Sequence, residues 1–281
     1  MGDGLYAVKD FKGDFKGDSM NDIVYILKKD VKPDELRYSL RSVCENFPHR
    51  KIWFYCGCPE GIKPDEYVPF EQKGVMTWEK TTSTVEAICK NKDITEDFWL
   101  FNDDFYVMKP VEDMPIYYDK TLFRRIQQIE KKRGGASSLY STQLKLTRDA
   151  LQDYGYKTFN YAVHMPMLIN RKKALEVIRE YPQLRMFRSV YGNICDVGGE
   201  QHKDVKIIGK DIEPDKDCDF LSTGDGDMKE SKVGRFIMER FPNPCKYEVF
   251  SDSAVLERRT MATEVSEQSD ESEGRLSVCD S

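Results

Sequence analysis

Several features that would assign a function at once are missing from this sequence. No stretch approaches the roughly 18 consecutive apolar residues of a membrane-spanning helix, and the amino terminus lacks the apolar core of a signal peptide. The Walker A, Gly-x-Gly-x-x-Gly, Gly-x-Ser-x-Gly and His-Glu-x-x-His motifs do not occur. Their absence disfavours simple nucleotide triphosphatases, dinucleotide-dependent dehydrogenases, serine hydrolases and zinc proteases. We therefore expect a cytoplasmic protein with no transmembrane segment.

Cysteine and histidine are poorly arranged for metal binding. The chain has eight cysteines, but the closest pair, Cys56 and Cys58, is separated by one residue and has no companion pair. Structural zinc sites usually need two such pairs, or cysteines together with histidines. The pattern favours reduced thiols buried near the end of a strand over a zinc site.

The chain is acidic, but its acidity is unevenly distributed. There are 43 basic and 49 acidic residues, which gives a net charge of −6 and a pI near 5.4. Residues 260–281 contain six acids and one base, a net charge of −5, so residues 1–259 carry only −1. No extended basic surface is evident, and we expect no nucleic acid partner. A local phosphate site is compatible with a nearly neutral body.

The periodicity of apolar residues predicts an α/β fold. An apolar run at 23–27 is followed by Pro33, by a helical stripe that includes Leu36 and Leu40, and by a second apolar run at 51–56. A strand, a helix and a strand at this spacing form a βαβ unit, and short strands without polar residues indicate a mainly parallel sheet covered by helices on both faces. Further helices are predicted near 82–91, 120–133, 138–152, 171–180 and 229–240, and further strands at 98–101, 163–169 and 205–208.

The same pattern predicts one folded domain with a polar segment on each side. Residues 1–20 contain two copies of Asp-Phe-Lys-Gly and are expected to form a flexible leader. The domain is expected to span residues 21–255. Residues 256–281 are rich in serine and acidic residues with few large apolar groups, which predicts a disordered acidic tail.

The triplet Asn102-Asp103-Asp104 directly follows the predicted strand at 98–101. Open α/β sheets bind ligands at the carboxyl ends of their strands, so these side chains are candidates for holding a metal ion or a substrate hydroxyl. An Asn-Asp pair also favours a simple turn. The triplet alone does not distinguish between these interpretations.

Three arginines and one glutamate are further candidates. Arg37 and Arg41 lie four residues apart on the first helix and could grip a diphosphate, although an exposed charged face would have the same spacing. Arg188 lies among apolar residues, where an unpaired charge would be costly, so we expect an anionic partner for it. Glu86 fits a capping box with Ser83 at the start of its predicted helix.

His164 lies in an apolar, strand-like stretch that continues into Met165 and Pro166. A single histidine in such a stretch is more often a core residue with satisfied hydrogen bonds than a catalytic base.

Taken together, these residues resemble the Stealth family of sugar-phosphate transferases. Four blocks match in the family's order: 22–25, then 35–43 continuing through Glu86 to the Asn-Asp-Asp triplet, then His164-Met165-Pro166 with Phe187-Arg188, and finally 241–248. The resemblance covers about residues 22–248. It implies a Rossmann-like sheet similar to that of nucleotide-sugar transferases.

The resemblance also implies a function. The family's functional residues match Glu86, Asp104, His164 and Arg188, and its opening block places Asp22 at the donor substrate. The implied reaction transfers a sugar 1-phosphate from a nucleoside diphosphate sugar, most simply a UDP-sugar, to a hydroxyl of a glycan or related acceptor.

In that scheme the polar residues take separate roles. Asp103 and Asp104 would hold Mg²⁺ or Mn²⁺, with support from Asn102, and Arg37 and Arg41 would assist in binding the donor. His164 would act as a general base or bind phosphate. An ordinary glycosyltransferase, or a non-catalytic protein that binds sugar nucleotides or glycans, is the alternative.

Overall fold

The structure is a computed structural model that describes residues 21–183, 185–224 and 228–249. The predicted leader, the predicted acidic tail and the predicted domain boundary at residue 255 lie outside these residues. The helices are α1 (Pro33–Asn46), α2 (Thr77–Lys90), α3 (Leu122–Lys132), α4 (Leu139–Asp153), α5 (Arg171–Glu180), α6 (Phe187–Ile194) and α7 (Lys232–Arg240). The strands are β1 (Asp22–Ile26), β2 (Ile52–Tyr55), β3 (Glu66–Val68), β4 (Asp97–Phe101), β5 (Phe105–Val107), β6 (Tyr117–Tyr118), β7 (Met167–Asn170), β8 (Glu200–Gln201), β9 (Lys206–Ile207) and β10 (Phe220–Thr223).

The central sheet has the order β3-β2-β1-β4-β7. β1 pairs in parallel with β2 and β4, β2 pairs in parallel with β3, and β7 is antiparallel to β4. The mainly parallel sheet predicted from the sequence is therefore confirmed. The chain adds β2 and β3 on one side of β1, and then β4 and β7 on its other side. The strand order therefore reverses between β1 and β4. Open α/β sheets bind ligands at such a reversal, beyond the carboxyl ends of the strands.

Helices cover both faces of this sheet, as the apolar strands require. Ile23 and Tyr25 of β1 pack on the side of α1, in one cluster with Leu36 and Leu40. Val24, which points to the opposite face, belongs to the cluster formed by α2, α5 and α6. Alternate residues of one strand thus enter two different cores, which explains why a buried parallel strand shows no polar alternation.

A second, smaller sheet extends from the end of β4. Its order is β5-β10-β9, with β10 antiparallel to β5 and parallel to β9. Three residues separate β4 from β5, so the Asn-Asp-Asp triplet is the connection between the two sheets. The charged side chains of this connection therefore lie at the junction of the two sheets.

Two predicted boundaries are wrong for local reasons. α2 begins at Thr77 rather than near 82, because the Glu79 carboxylate accepts hydrogen bonds from the amides of Val75 and Met76, both at 2.8 Å. Ser83 therefore lies inside the helix, and the capping box expected at Ser83 and Glu86 does not form. β7 begins at Met167 rather than at 163, because His164 has a left-handed backbone with φ of 50° that interrupts an extended strand.

Among the described residues, no helix is long and apolar enough to cross a membrane.

Arg41 binds the carboxyl-terminal part of the described chain to α1. Its guanidinium donates to both carboxylate oxygens of Glu248, at 2.6 and 2.8 Å, and to the carbonyls of Phe241 and Pro242. The Arg41 side chain is 7% exposed and that of Glu248 is 1% exposed. Arg37 approaches the same carboxylate at 3.4 Å. The two arginines that were expected to grip a diphosphate therefore converge on a carboxylate of the protein itself.

We expect Glu248→Gln to lower the free energy of unfolding by about 3 kcal/mol, because it leaves the buried Arg41 charge without its partner. Glu45→Gln is the matched control, since it breaks the exposed pair between Glu45 of α1 and Arg240 of α7. That change should cost less than about 1 kcal/mol. Urea unfolding of both variants measures the difference, and equal losses would contradict a structural role for Arg41.

Candidate functional site

The candidate site lies beyond the carboxyl ends of β1 and β4, at the reversal of strand order. β4 ends at Phe101, and a turn closed by the Phe105 amide and the Asn102 carbonyl leads into β5. The triplet forms the turn that an Asn-Asp pair favours. It also carries two acidic side chains at this edge, as the ligand-site interpretation expects. Asp103 interacts electrostatically with Lys28, which follows β1. The loops after both strands thus contribute charged groups to one place.

Asp104 is the best-anchored residue of this edge. Its Oδ2 accepts hydrogen bonds from Lys206 Nζ at 2.9 Å and from Ser222 Oγ at 3.1 Å. Lys206 and Ser222 are partners in the pairing of β9 with β10, so the second sheet presents them side by side. The other carboxylate oxygen, Oδ1, is buried and has no hydrogen-bond partner. Asp104 therefore has one oxygen committed to the protein and one available for a ligand.

Two further carboxyl groups share this environment. Burial raises the pKa of Asp103, and the neighbouring charge of Asp104 adds to the shift. Burial also raises the pKa of Glu35 to about 7, despite a hydrogen bond from Thr223 Oγ1 at 2.8 Å, and both aspartates contribute to this shift. Glu35 lies in the first turn of α1. Three carboxyl groups so close together favour a bound cation or a retained proton.

The residues present fit a hard divalent cation that is shared with a substrate. The described residues contain no group of three or more histidine, cysteine, aspartate or glutamate side chains that could hold a metal ion by themselves. Mg²⁺, however, is commonly held by one or two carboxylates together with substrate phosphates and water. The unpartnered Oδ1 of Asp104 and the neighbouring carboxyl group of Asp103 supply such a partial set.

His164 reaches the same edge from β7. Because β7 runs antiparallel to β4, with Met167 opposite Leu100, the residues before β7 lie at the carboxyl end of β4. His164 Nδ1 lies 2.8 Å from Asp204 Oδ1, and its side chain is 30% exposed. Burial would raise the pKa of Asp204, but the hydrogen bonds from His164 and the Lys206 amide, together with nearby positive charge, hold it below its usual value. Asp204 thus orients a histidine that solvent or substrate can reach.

The histidine and the aspartate sites are coupled through one short segment. Asp204 binds His164, and Lys206, two residues later, binds Asp104. Asp204 Oδ1 also accepts a hydrogen bond from the Lys206 amide at 3.1 Å, which fixes the geometry between the two. A single segment therefore sets the separation of the two candidate functional groups.

Arg188, near the start of α6, joins β4 to the segment before β7. Its guanidinium donates to the carbonyls of Met165 at 2.7 Å and Leu100 at 3.2 Å, and to Asn102 Oδ1 at 3.3 Å. Burial lowers the pKa of Arg188 to about 10, and the charge of Asp104 opposes that shift. The guanidinium remains protonated at neutral pH. The anionic partner expected for it is not a hydrogen-bonded carboxylate, since these three acceptors are uncharged.

A small apolar pocket of about 20 Å³, roughly the space of one water molecule, adjoins the segment that carries His164. Trp99, Tyr117 and Tyr161 contribute aromatic walls, and the residues on both sides of His164 complete it.

Two predicted site residues lie elsewhere in the fold. Asp22 stands at the amino end of β1, the opposite end from the triplet, and its carboxylate accepts hydrogen bonds from Arg50, Trp53 and Thr95. Asp22 is fully buried and serves the fold, so its position does not support the predicted contact with the donor substrate. Glu86 is a partly exposed residue of α2 that pairs with Lys90 one turn later. The functional role that the resemblance implies for Glu86 stays a prediction.

The sequence pattern did not indicate Asp204, Lys206, Ser222 or Glu35 as individual residues of the site. Asp204 and Lys206 flank Val205 in a segment whose alternation could have suggested two polar groups on one side of a strand. Nothing local indicates their partners, because Lys206 is 102 residues from Asp104 in the chain.

The raised pKa of Glu35 leads to a prediction about stability and pH. An acid whose pKa rises from 4.5 to about 7 on folding holds its proton more tightly in the folded chain, so its contribution to stability is lost as pH rises through this range. Glu35→Gln should therefore be more stable relative to the wild type at about pH 8 than at about pH 4. Urea unfolding at both pH values measures this. Glu45→Gln is the control, and a Glu35→Gln difference that does not change with pH would contradict the prediction.

No family model and no curated protein matches this chain. Among solved structures, the chain is similar to the galactosyltransferase LgtC in complex with donor and acceptor sugar analogs, with a TM-score of 0.36 and 15% identity over 66% of this chain and 75% of that chain. An active-site mutant of LgtC gives a TM-score of 0.34 and 14% identity over the same shares of the two chains.

Proposed function

We propose that this chain transfers a sugar 1-phosphate from a nucleoside diphosphate sugar, a UDP-sugar in the simplest case, to a hydroxyl group of a glycan or related acceptor. The observation that carries the proposal is the coupling of His164 and Asp204 to Asp104 through Lys206, at the reversal of strand order. Asp104, His164 and Arg188 are also the residues that carry the resemblance to the Stealth family. Geometry and sequence pattern therefore converge on the same groups.

In this mechanism His164 activates the acceptor. The neutral ring keeps its proton on Nδ1, where the N–H donates a hydrogen bond to Asp204. Its Nε2 then has a lone pair that can take the proton of an acceptor hydroxyl. The acceptor oxygen then forms a bond to the β-phosphorus of the donor. The bond between that phosphorus and the oxygen bridging to the α-phosphate breaks, and nucleoside monophosphate leaves with the electron pair. Asp204 stabilises the imidazolium that results.

Cationic side chains compensate the negative charge that moves during transfer. Arg188 is buried, protonated and hydrogen-bonded to neutral oxygens, so a phosphate oxygen would be a stronger partner than its present ones. Lys206 holds Asp104 from the side of the second sheet. Phosphoryl transfer depends mainly on positioning and charge neutralisation, which these residues can supply.

Asp103 and Asp104 would hold Mg²⁺ or Mn²⁺ on the donor diphosphate. The unpartnered Oδ1 of Asp104 supports this assignment, and Asn102 flanks it. When bound, the ion would neutralise charge on the phosphate oxygens. The same two carboxylates would suit glycosyl transfer, in which the bond between the sugar carbon and the phosphate oxygen breaks and nucleoside diphosphate leaves. Both reactions use a nucleotide-sugar donor, and the leaving group distinguishes them.

The released nucleotide is the first test. Incubation of the full chain with a panel of UDP-sugars, Mn²⁺ and a glycan acceptor should release UMP, measured by chromatography, because the proposed bond cleavage lies between the two phosphates. Release of UDP would replace phosphoryl transfer with glycosyl transfer. A panel that gives no metal-dependent release of either nucleotide would favour a protein that only binds sugar nucleotides or glycans.

Substitutions test the assigned residues. His164→Ala and Asp104→Asn should each lower kcat by about 10² or more, because they remove the base and a donor-binding carboxylate. Asp204→Asn should lower kcat and shift its pH dependence, since it removes the charge that orients His164. Glu45→Gln removes an exposed acid of α1 that pairs with Arg240, and as the matched control it should retain wild-type turnover. Turnover near wild type for His164→Ala would refute its assignment as the base.

A further inference from the structure

The nearly neutral sum over residues 1–259 conceals a strong local excess of positive charge. Residues 120–148, which form α3, its connection and most of α4, contain eight basic residues and one acidic residue, a net charge of +7. Since the whole chain carries −6, the remaining residues carry −13. Such an asymmetry orients a protein toward an anionic surface before contact. We call residues 120–148 the basic hairpin.

Part of the hairpin's charge is neutralised by acids outside residues 120–148, since Lys120 and Arg125 lie near Asp119, Arg125 also lies near Asp204, and Arg148 pairs with Asp149. The hairpin's one acid, Glu130, is paired with Lys145 at 2.7 Å. Lys131, Lys132 and Arg133, at the end of α3, are exposed and form no ion pair with any described residue. They lie next to an exposed connection at 134–137. The tip of the hairpin therefore presents three free cations to whatever approaches it.

Exposed apolar side chains accompany these charges. Leu139, just past the tip, is 64% exposed, and Phe123 and Leu146 are 47% and 45% exposed. Phe123 of α3 and Arg148 of α4 contact each other across the hairpin, with the guanidinium 6.0 Å from the ring centroid. The core side of α3 is provided instead by Leu122 and Ile126. Phe123, Leu139 and Leu146 therefore contribute little to the packing of the domain core.

We propose that the basic hairpin docks this protein on a membrane surface that contains anionic lipids. Free lysine and arginine side chains attract the lipid headgroups, and exposed leucine and phenylalanine gain free energy by entering the boundary between headgroups and acyl chains. Nucleic acid would use the charges but would give no favourable environment to the aliphatic Leu139. The combination of both kinds of side chain selects the membrane surface.

Docking at the hairpin would also place the candidate site near the membrane. Arg125 of α3 lies 3.5 Å from Asp204, the residue that orients His164. The base of the hairpin is therefore in contact with the candidate site, and an acceptor embedded in the membrane surface would meet the protein on this side. The docking itself does not depend on the proposed reaction.

Vesicle sedimentation with the full chain tests the docking. The wild type should sediment with vesicles of phosphatidylcholine and phosphatidylglycerol, should be released by added salt, and should not sediment with phosphatidylcholine alone. The triple variant Lys131→Gln, Lys132→Gln and Arg133→Gln should bind the anionic vesicles about 10²-fold more weakly. The matched control, Lys63→Gln, Lys92→Gln and Lys216→Gln, removes the same charge at exposed positions elsewhere and should bind like the wild type.

The apolar contribution needs its own comparison. Leu139→Ser should weaken binding to the anionic vesicles, whereas Ile208→Ser, at a site outside the hairpin that is 73% exposed, should not. Circular dichroism of each variant confirms that it is folded. The proposal is overturned if the wild type does not bind anionic vesicles at low salt, if the two triple variants bind equally, or if Leu139→Ser has no effect. Tighter binding to duplex DNA or RNA than to the vesicles would also overturn it.

Discussion

The buried carboxylate of Asp104 is the constraint on which the candidate site depends. It lies in the three-residue connection between the two sheets, where a charge needs partners, and it finds them in Lys206 and Ser222 of the second sheet. This pairing holds the β9 and β10 edge against the end of β4. The same segment then carries Asp204 to His164. One ion pair thus fixes both the junction of the sheets and the spacing of the functional groups.

Arg41 and Arg188 are both buried, but their hydrogen-bond partners differ. Arg41 gives four of its five N–H groups to a bidentate carboxylate and two carbonyls, so the protein itself already meets most of its demand for acceptors. Arg188 is also buried but meets only neutral oxygens, and burial lowers its pKa. A buried cation without a bound carboxylate is the group that gains most from an arriving phosphate. Partner chemistry, more than burial, therefore distinguishes Arg41 from Arg188.

Charge is separated on two scales in this molecule. At the candidate site, Glu35, Asp103 and Asp104 gather negative charge against Lys206 and a buried arginine. Over the whole chain, the basic hairpin opposes an acidic remainder. The two scales meet at Asp204, which contacts the histidine on one side and the hairpin on the other. The net charge of −1 over residues 1–259 therefore describes neither the candidate site nor the basic hairpin.

The amino-acid sequence was enough to predict the α/β class and the parallel strands, because short apolar strands can be buried only between two layers of helices. It also placed the Asn102 to Asp104 triplet at the end of a strand. Periodicity and turn chemistry are local, and they located these elements to within a few residues. Only the tertiary structure decided the partners of the charged residues. Arg41 meets Glu248 from 207 residues away, and His164 meets Asp204 from 40 residues away. Pairing depends on how distant strands align, and no local pattern encodes that alignment.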